Sequence, residues 1–321
     1  MKAIVVSEYG GPEVLKLQEE AIGKPSKGQV LVRLATAGVN FIEIYQRKGT
    51  YPRELPYIPG SEAAGIVELI GEGVTSIQVG DRVAYVHQPG AYAEASIVNA
   101  DSLIPLPEGF SFEYGAAFPL QGMTAHYLLH EFRKPKPGDV VLIHAAAGGM
   151  GLLLVQWARH LGAKVIGTVS TEEKAKIAKE AGASAVILYT QQDFVEEVKR
   201  LTHDHGADLI IDGVGKTTFK GNLEAAARRG HIVIFCAASG PAEAIIPNAL
   251  MAKSLTLSGG SLPNFLLNRE EMLNRAHAVL RGIQEGWLKL KIDRVVPLKD
   301  APEAHRLIES RQTTGKIVLS I

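Results

Sequence analysis

Residues 140–158 read VVLIHAAAGGMGLLLVQWA. An unbroken apolar run from Val140 to Ala146 meets a glycine cluster, then a second apolar run of helical length that stops before Gly162. A short continuous apolar run marks a strand covered on both faces. A glycine-tight turn from such a strand into a helix is the dinucleotide-phosphate fingerprint when its spacing is G-x-G-x-x-G. Here Ala146 takes the first place, Gly148 the second and Gly151 the third. Gly148 lets backbone approach a pyrophosphate, and Gly151 lets the helix lie close to the strand. The free N–H groups and positive dipole end of the helix then face the phosphates. The stretch is long enough to consider as a membrane span. His144, the paired glycines and Gln156 argue instead for soluble core.

Outward from this unit the pattern repeats. KVIGTVS (164–170), AVILY (185–189), ADLIIDGVG (207–215), GHIVIFCAA (230–238) and SLTLSGGS (254–261) read as further strands. TEEKAKIAKEAG, DFVEEVKRLTHDHG and FKGNLEAAARRG read as the helices between them. Strands alternating with helices of about a dozen residues call for a doubly wound parallel sheet of six strands with right-handed crossovers. The first 120 residues differ. Short runs rich in Val and Ile, separated by Gly, Pro, Asn and Asp, predict a mainly-β barrel or sandwich. The tail returns to that vocabulary, with KLKIDRVVPL and GKIVLSI as strands around a helical EAHRLIESRQ. A discontinuous domain follows: residues 1–122 and 264–321 surround an inserted dinucleotide-binding domain at 123–263.

The end of the second strand bears on which dinucleotide is bound. An NAD site places Asp or Glu about 20 residues past the glycines, on the ribose 2′-hydroxyl. No carboxylate occurs between Gly162 and Thr171; Ser170 stands at the strand tip and Lys174 one helical turn later. A hydroxyl and an ammonium suit a 2′-phosphate, so NADP(H) is predicted over NAD(H). Ser170 and Glu173 also match a helix capping box, and Glu172 and Glu173 add negative charge nearby.

Lys+Arg and Asp+Glu are both 34 in 321 residues, a formal net charge of +0. That balance, with 6% aromatic residues, gives nucleic-acid binding little support. The one cysteine, Cys236, excludes an internal disulfide and any site that needs two thiolates. Set in an apolar strand, it reads as an inert small hydrophobe. One cysteine and no evident secretory signal predict a cytoplasmic location. None of the ten His residues falls in an H-x₃-H or H-E-x-x-H arrangement.

The segments Ala37-Gly-Val-Asn-Phe-Ile-Glu-Ile-Tyr45, Arg47-Lys-Gly-Thr-Tyr-Pro52, Ile58-Pro-Gly-Ser-Glu-Ala-Ala-Gly65 and Gln121-Gly-Met-Thr-Ala-His-Tyr127, with the AAAGGMG loop, carry a resemblance over essentially the whole chain. It resembles the medium-chain dehydrogenase/reductases, and within them the quinone oxidoreductase, zeta-crystallin-like, branch. The resemblance implies a GroES-like first domain around a Rossmann domain. Zinc members carry Cys and His where Asn40 and Ser61 stand, and the four-cysteine structural lobe is impossible here, so a metal-free site is expected. Glu43 stands where members often have Asp.

By resemblance Asn40, Tyr45 and Tyr51 face the substrate, and Thr124 touches the cofactor. Ala147, Gly148, Gly149, Met150 and Gly151 form the phosphate loop. Lys174 and Tyr189 flank the adenosine phosphate, and Thr168 and Ser170 join the cofactor-binding set. Gly215, Phe235, Gly260, Ser261 and Leu262 close over the cofactor, and Lys316 reaches the same cleft. The implied activity is NADPH-dependent reduction of quinones. Enone or enal reduction is the alternative, and a nucleotide-dependent RNA-binding or crystallin role a third reading. The strand SLTLSGGS would leave an open sheet edge, which predicts a homodimer.

Overall fold

The computed structural model describes residues 1–321 and divides them into two compact units. Unit 1 holds Met1–Gln121, Leu266–Ala276 and Leu290–Ile321; unit 2 holds Gly122–Phe265 and His277–Lys289.

Elements run along the chain as follows. Unit 1 begins with β1 (Lys2–Val5), β2 (Lys16–Glu19), β3 (Gln29–Val39), α1 (Phe41–Arg47), β4 (Glu62–Ile70), β5 (Arg82–Val86), β6 (Ala95–Asn99), β7 (Leu103–Pro105) and α2 (Phe112–Ala117). After α3 (Pro119–Tyr127), unit 2 alternates β8 (Val140–Ile143), α4 (Gly149–His160), β9 (Lys164–Val169), α5 (Glu172–Ala181), β10 (Ala185–Leu188), α6 (Phe194–Thr202), β11 (Ala207–Asp212), α7 (Phe219–Ala225), β12 (Ala226–Ile234) and β13 (Thr256–Gly259). Helix α8 (Arg269–Gln284), β14 (Ile292–Pro297), α9 (Ala301–Glu309) and β15 (Lys316–Ser320) complete the chain.

In unit 1 the hydrogen-bonded order is β14-β15-β3-β4-β5-β7, with β6 also on β3. Strand β15 pairs antiparallel with β3, Ile317 opposite Val39. Strand β3 in turn pairs with β4, Ala37 opposite Ala63. Alternating inward residues such as Val30, Val32 and Leu34 close a core with Tyr85, Tyr92, Ile317 and Leu319. These pairings bring Asn40 after β3, Glu62 at the start of β4 and Lys316 at the start of β15 to one end of the sheet.

Unit 2 is a six-stranded parallel sheet of order β10-β9-β8-β11-β12-β13. The chain moves outward from β8 to β10, then crosses back to β11 and continues the other way. This reversal at β8 is the switch point at which such doubly wound sheets bind ligands beyond the carboxyl ends of their strands.

Three sequence expectations shift. The helix expected through 230 stops at Ala225, because Ala226 pairs with Ala207 of β11; sheet partners override local helix propensity. Strand β12 ends at Ile234, so Cys236 lies past it, half-buried, and not in a strand interior. The tail does not return to the first unit as one piece. Residues 277–289 cluster with unit 2, where Trp287 stacks on His160 at 3.9 Å and meets Trp157 edge-on at 5.3 Å.

Candidate functional site

In unit 2 every strand end on one edge carries a residue singled out from the sequence. The loop 145–148 leaves β8 and opens α4 at Gly149. The left-handed residue is Ala145, at φ +53°, while Gly148, at φ −76°, keeps an ordinary conformation. What requires glycine is closeness: a Cβ on Gly151 would stand 2.3 Å from the Ala145 carbonyl oxygen and 2.7 Å from Ala146. Gly148 is looser, with its nearest atom at 3.3 Å. The first turn of α4 (Gly149, Met150, Gly151) has N–H groups without intrahelical acceptors, and no acidic side chain stands there. This cradle fits a pyrophosphate. Ala147 is buried beneath it.

The neighbouring ends of β9 and β10 set Ser170 and Tyr189 side by side, with Lys174 in the helix that follows β9. Ser170 follows β9 half-buried, and its carbonyl accepts from Thr190 Oγ1 at 3.0 Å. Lys174 lies in the first turn of α5, and Tyr189 is exposed at the end of β10. The expected cap is displaced by one residue. Thr171, not Ser170, caps α5, with its Oγ1 accepting the Lys174 N–H at 3.3 Å. Ser170 is therefore not consumed by the helix.

Thr168 points inward instead. It is buried against His144, Oγ1 to Nδ1 at 3.0 Å. His144 Nε2 meets Asn222 Oδ1 at 2.7 Å, and Asn222 Nδ2 donates to Asp212 Oδ2 at 2.6 Å. Asn222 must present its carbonyl to His144, so Nε2 carries the proton and Nδ1 accepts from Thr168. Burial lowers the His144 pKa and keeps the ring neutral. Asp212 Oδ1 accepts the N–H groups of Val214 and Gly215, at 2.6 and 3.0 Å. Gly215 turns at φ +86°, where a Cβ would also meet the Gly240 carbonyl at 2.6 Å. One buried polar chain thus ties together the ends of β8, β9 and β11. Sequence reasoning missed His144, Asp212 and Asn222; a histidine and an aspartate closing apolar strands were the available signal.

Phe235 follows β12 and packs on Gly213, whose Cβ would lie 2.7 Å from the ring. Gly260 follows β13 against the Tyr127 and Phe132 rings; Ser261 is exposed, while Leu262 and, in α3, Thr124 are buried.

Unit 1 holds a second polar cluster. Asn40 caps α1 in extended geometry, φ −136°, and not as a left-handed turn. Its amide is committed inward: Nδ2 donates to Glu62 Oε1 at 2.8 Å, and Oδ1 accepts from Lys316 Nζ at 2.6 Å. Lys316 is 3% exposed and also pairs with Glu62 Oε1 at 2.5 Å, so its charge is spent in this ion pair. Glu62 Oε2 accepts the Leu120 N–H at 2.7 Å. Where the resemblance replaces two zinc ligands by Asn40 and Ser61, a resident ammonium compensates the Glu62 carboxylate. The chain has no group of three or more His, Cys, Asp or Glu side chains arranged to hold a metal ion.

Glu43 lies behind Asn40, fully buried. Its Oε2 accepts the Asn40 N–H at 2.6 Å and its Oε1 accepts from Ser61 Oγ at 2.5 Å. Burial pushes the carboxyl up to about 7, against the Ser61 hydrogen bond and the Lys316 charge, which both lower it. Tyr45 and Tyr51 form an edge-on pair with ring centres 5.3 Å apart, Tyr51 being exposed. Unit 1 also holds a pocket of about 90 Å³ lined by Ile42, Tyr57, Pro59, Ser61, His87 and Gln88, among others. Of these residues, Tyr57 and His87 have an Oη and an Nε2 that are buried without a hydrogen-bond partner. His87 adopts φ +58°, unusual for a side-chain-bearing residue.

Comparison with known proteins agrees with this layout. Residues 26–108 match the alcohol dehydrogenase GroES-like domain, and residues 149–278 match the zinc-binding dehydrogenase domain. The chain is 41% identical to a 2-haloacrylate reductase from a Burkholderia species, covering 99% of this chain and 98% of that protein. It is 40% identical to quinone oxidoreductase 1 of Escherichia coli K12, covering 97% of each. Among solved structures, that of Escherichia coli quinone oxidoreductase complexed with NADPH superposes with a TM-score of 0.97, at 40% identity over the whole of both chains. This chain is a medium-chain dehydrogenase/reductase, an oxidoreductase by class. Within that class it belongs to the quinone oxidoreductase family.

No helix is long and apolar enough to cross a membrane.

Proposed function

We propose that this chain is an NADPH-dependent reductase of quinones that works without a metal. The observation that carries the reading is the edge of unit 2, where a glycine-built anion cradle lies beside a strand end offering Ser170 and Lys174 in place of a carboxylate. The cradle at Gly149 to Gly151 would hold the pyrophosphate. Ser170, Lys174 and Tyr189 would receive the 2′-phosphate, and Gly215, Phe235 and Gly260 to Leu262 the rest of the nucleotide.

When bound, the nicotinamide supplies hydride. The chain's own work is to orient the two reactants, exclude water and stabilise the charge that appears on the acceptor oxygen. Tyr45 and Tyr51 supply a ring surface for a flat acceptor. Asn40 acts mainly by fixing Glu62 and Lys316. A quinone suits the paired rings, while conjugated acids and enones use the same hydride geometry. The 2-haloacrylate reductase relative supports that second substrate reading. The protein would work in the cytoplasm as a homodimer joined through β13, the outermost strand of its sheet.

Purified protein should oxidise NADPH on addition of 1,4-benzoquinone, use NADH far less well, and keep its rate in EDTA. Chelator-sensitive alcohol oxidation, or equal use of the two nucleotides, overturns the reading. Parallel assays with cyclohex-2-enone and 2-chloroacrylate rank the acceptor classes.

A further inference from the structure

Ser61 joins two features that nucleotide binding leaves unexplained. On one side its hydroxyl bonds the buried Glu43 carboxyl at 2.5 Å. On the other it lines a pocket alongside Tyr57 and His87, whose Oη and Nε2 are buried without hydrogen-bond partners. A buried polar atom left without a partner is costly, so two on lining residues of one small pocket point to an occupant that satisfies them. The walls are otherwise apolar at Ile42, Ile58, Pro59 and Pro89, with Arg53 exposed among the lining residues. At about 30 Å³ per water, the space takes about three waters or the oxygen-bearing end of a small carbonyl compound.

We propose that Ser61 passes protons between Glu43 and the oxygen of an acceptor held in this pocket by Tyr57 and His87. The proposal rests on the reading of the chain as a carbonyl-reducing enzyme and names the proton source that such a reaction requires. Hydride delivered to the acceptor moves an electron pair onto its oxygen. That oxygen takes the Ser61 proton, forming an O–H bond as the serine O–H breaks. Glu43 gives its own proton to Ser61 Oγ and is left as carboxylate. Water entering the pocket restores it, so each hydride is matched by one proton.

The geometry supplies the switch. When Glu43 is ionised, Ser61 must donate to it. When Glu43 is protonated, the carboxyl donates to Oγ, and the serine proton turns to the pocket. The other Glu43 oxygen is held by the Asn40 N–H, so the carboxyl cannot rotate away. The charged and titratable groups facing it are Lys316, Glu62, Tyr57 and Tyr92. Lys316 favours the carboxylate, Glu62 opposes it, and burial leaves both states accessible near neutral pH. Burial also holds the Tyr57 hydroxyl protonated, pushed up to about 12, and lowers the His87 pKa, so neither competes for the proton.

The test combines three variants with a readout that needs no turnover. Glu43→Gln and Ser61→Ala should each lower kcat on the order of 10²-fold at pH 6, with NADPH affinity by fluorescence unchanged. The double variant should be no worse than either single one. The wild-type rate should fall as pH rises through about 7, and this fall should vanish in E43Q. Tyr57→Phe removes a hydroxyl that no protein group bonds, so the fold loses nothing. It should still lower kcat/KM about tenfold. Difference infrared spectroscopy of the resting protein should show one carboxyl titrating near neutrality, absent in E43Q and moved upward in S61A. Wild-type pH profiles in E43Q, additive effects of the two singles, or no such carboxyl overturn the relay while leaving the proposed function intact. If the protein reduced neither quinones nor enones, the proposed function would fall and the relay with it, whatever the infrared titration showed.

Discussion

Glu43 shows how a single residue can set a pH dependence opposite to that of an ordinary carboxylate. Its folded pKa is raised from 4.5 to about 7, so between those values the native state binds more protons than the unfolded chain. Its contribution is fully present below pH 4.5 and is lost as pH rises through about 7. Glu43→Gln should therefore gain stability relative to wild type at pH 8 and not at pH 5, measured as the difference in urea midpoints at each pH. Gly151 makes a different kind of demand. Gly151→Ala pushes a methyl into the Ala145 and Ala146 backbone, neither of which is a flexible partner. It should cost about 1–3 kcal/mol and weaken NADPH binding, read by thermal melts and fluorescence titration. Gly151 was legible in the sequence because its constraint is local, set by a spacing of a few residues. The state of Glu43 was not: it comes from Ser61, Glu62 and Lys316, which only the folded sheet brings near.

Among the elements, the β9–α5 junction bears on nucleotide choice. Lys174→Gln should weaken NADPH binding about five- to tenfold and leave NADH unchanged, measured as a ratio of dissociation constants. The absent acid at this junction could be read directly, whereas the cap was misread by one residue because Ser and Thr stand side by side. Helix α9 supplies the opposite pH signature to Glu43. His305 is fully buried, with Nδ1 at 3.2 Å from Arg47 Nη1 and Nε2 at 3.2 Å from Tyr92 Oη. An arginine only donates, so Nδ1 accepts and Nε2 carries the proton to Tyr92. Burial, and then the Arg47 charge, lower the His305 pKa from 6.5 to about 3. Below pH 6.5 the unfolded chain binds the extra proton, so stability falls as the solution is acidified toward pH 3. His305→Gln should flatten that acid slope. Because the Glu43 window overlaps it, each effect is read as wild type minus the single variant.

At the scale of the whole molecule, the alternation of unit 2 was legible because each βα step is written within about 30 residues. The order of strands in unit 1 was not, since β3, β4 and β15 come from distant parts of the chain. The split of the tail was also hidden, because it depends on Trp287 meeting Trp157 and His160. Strand β13 pairs only with β12, leaving its other edge without a strand. Light scattering should give twice the chain mass at micromolar concentration; a monomer there removes the homodimer from the reading.

The Lys316–Glu62 pair joins residues 254 positions apart. During synthesis the parallel sheet, contiguous from Val140 to Gly259, can therefore close while the first unit still lacks the ammonium that neutralises its buried acid. A nascent chain has to keep that unfinished sheet away from proteases and other nascent chains until β15 leaves the ribosome.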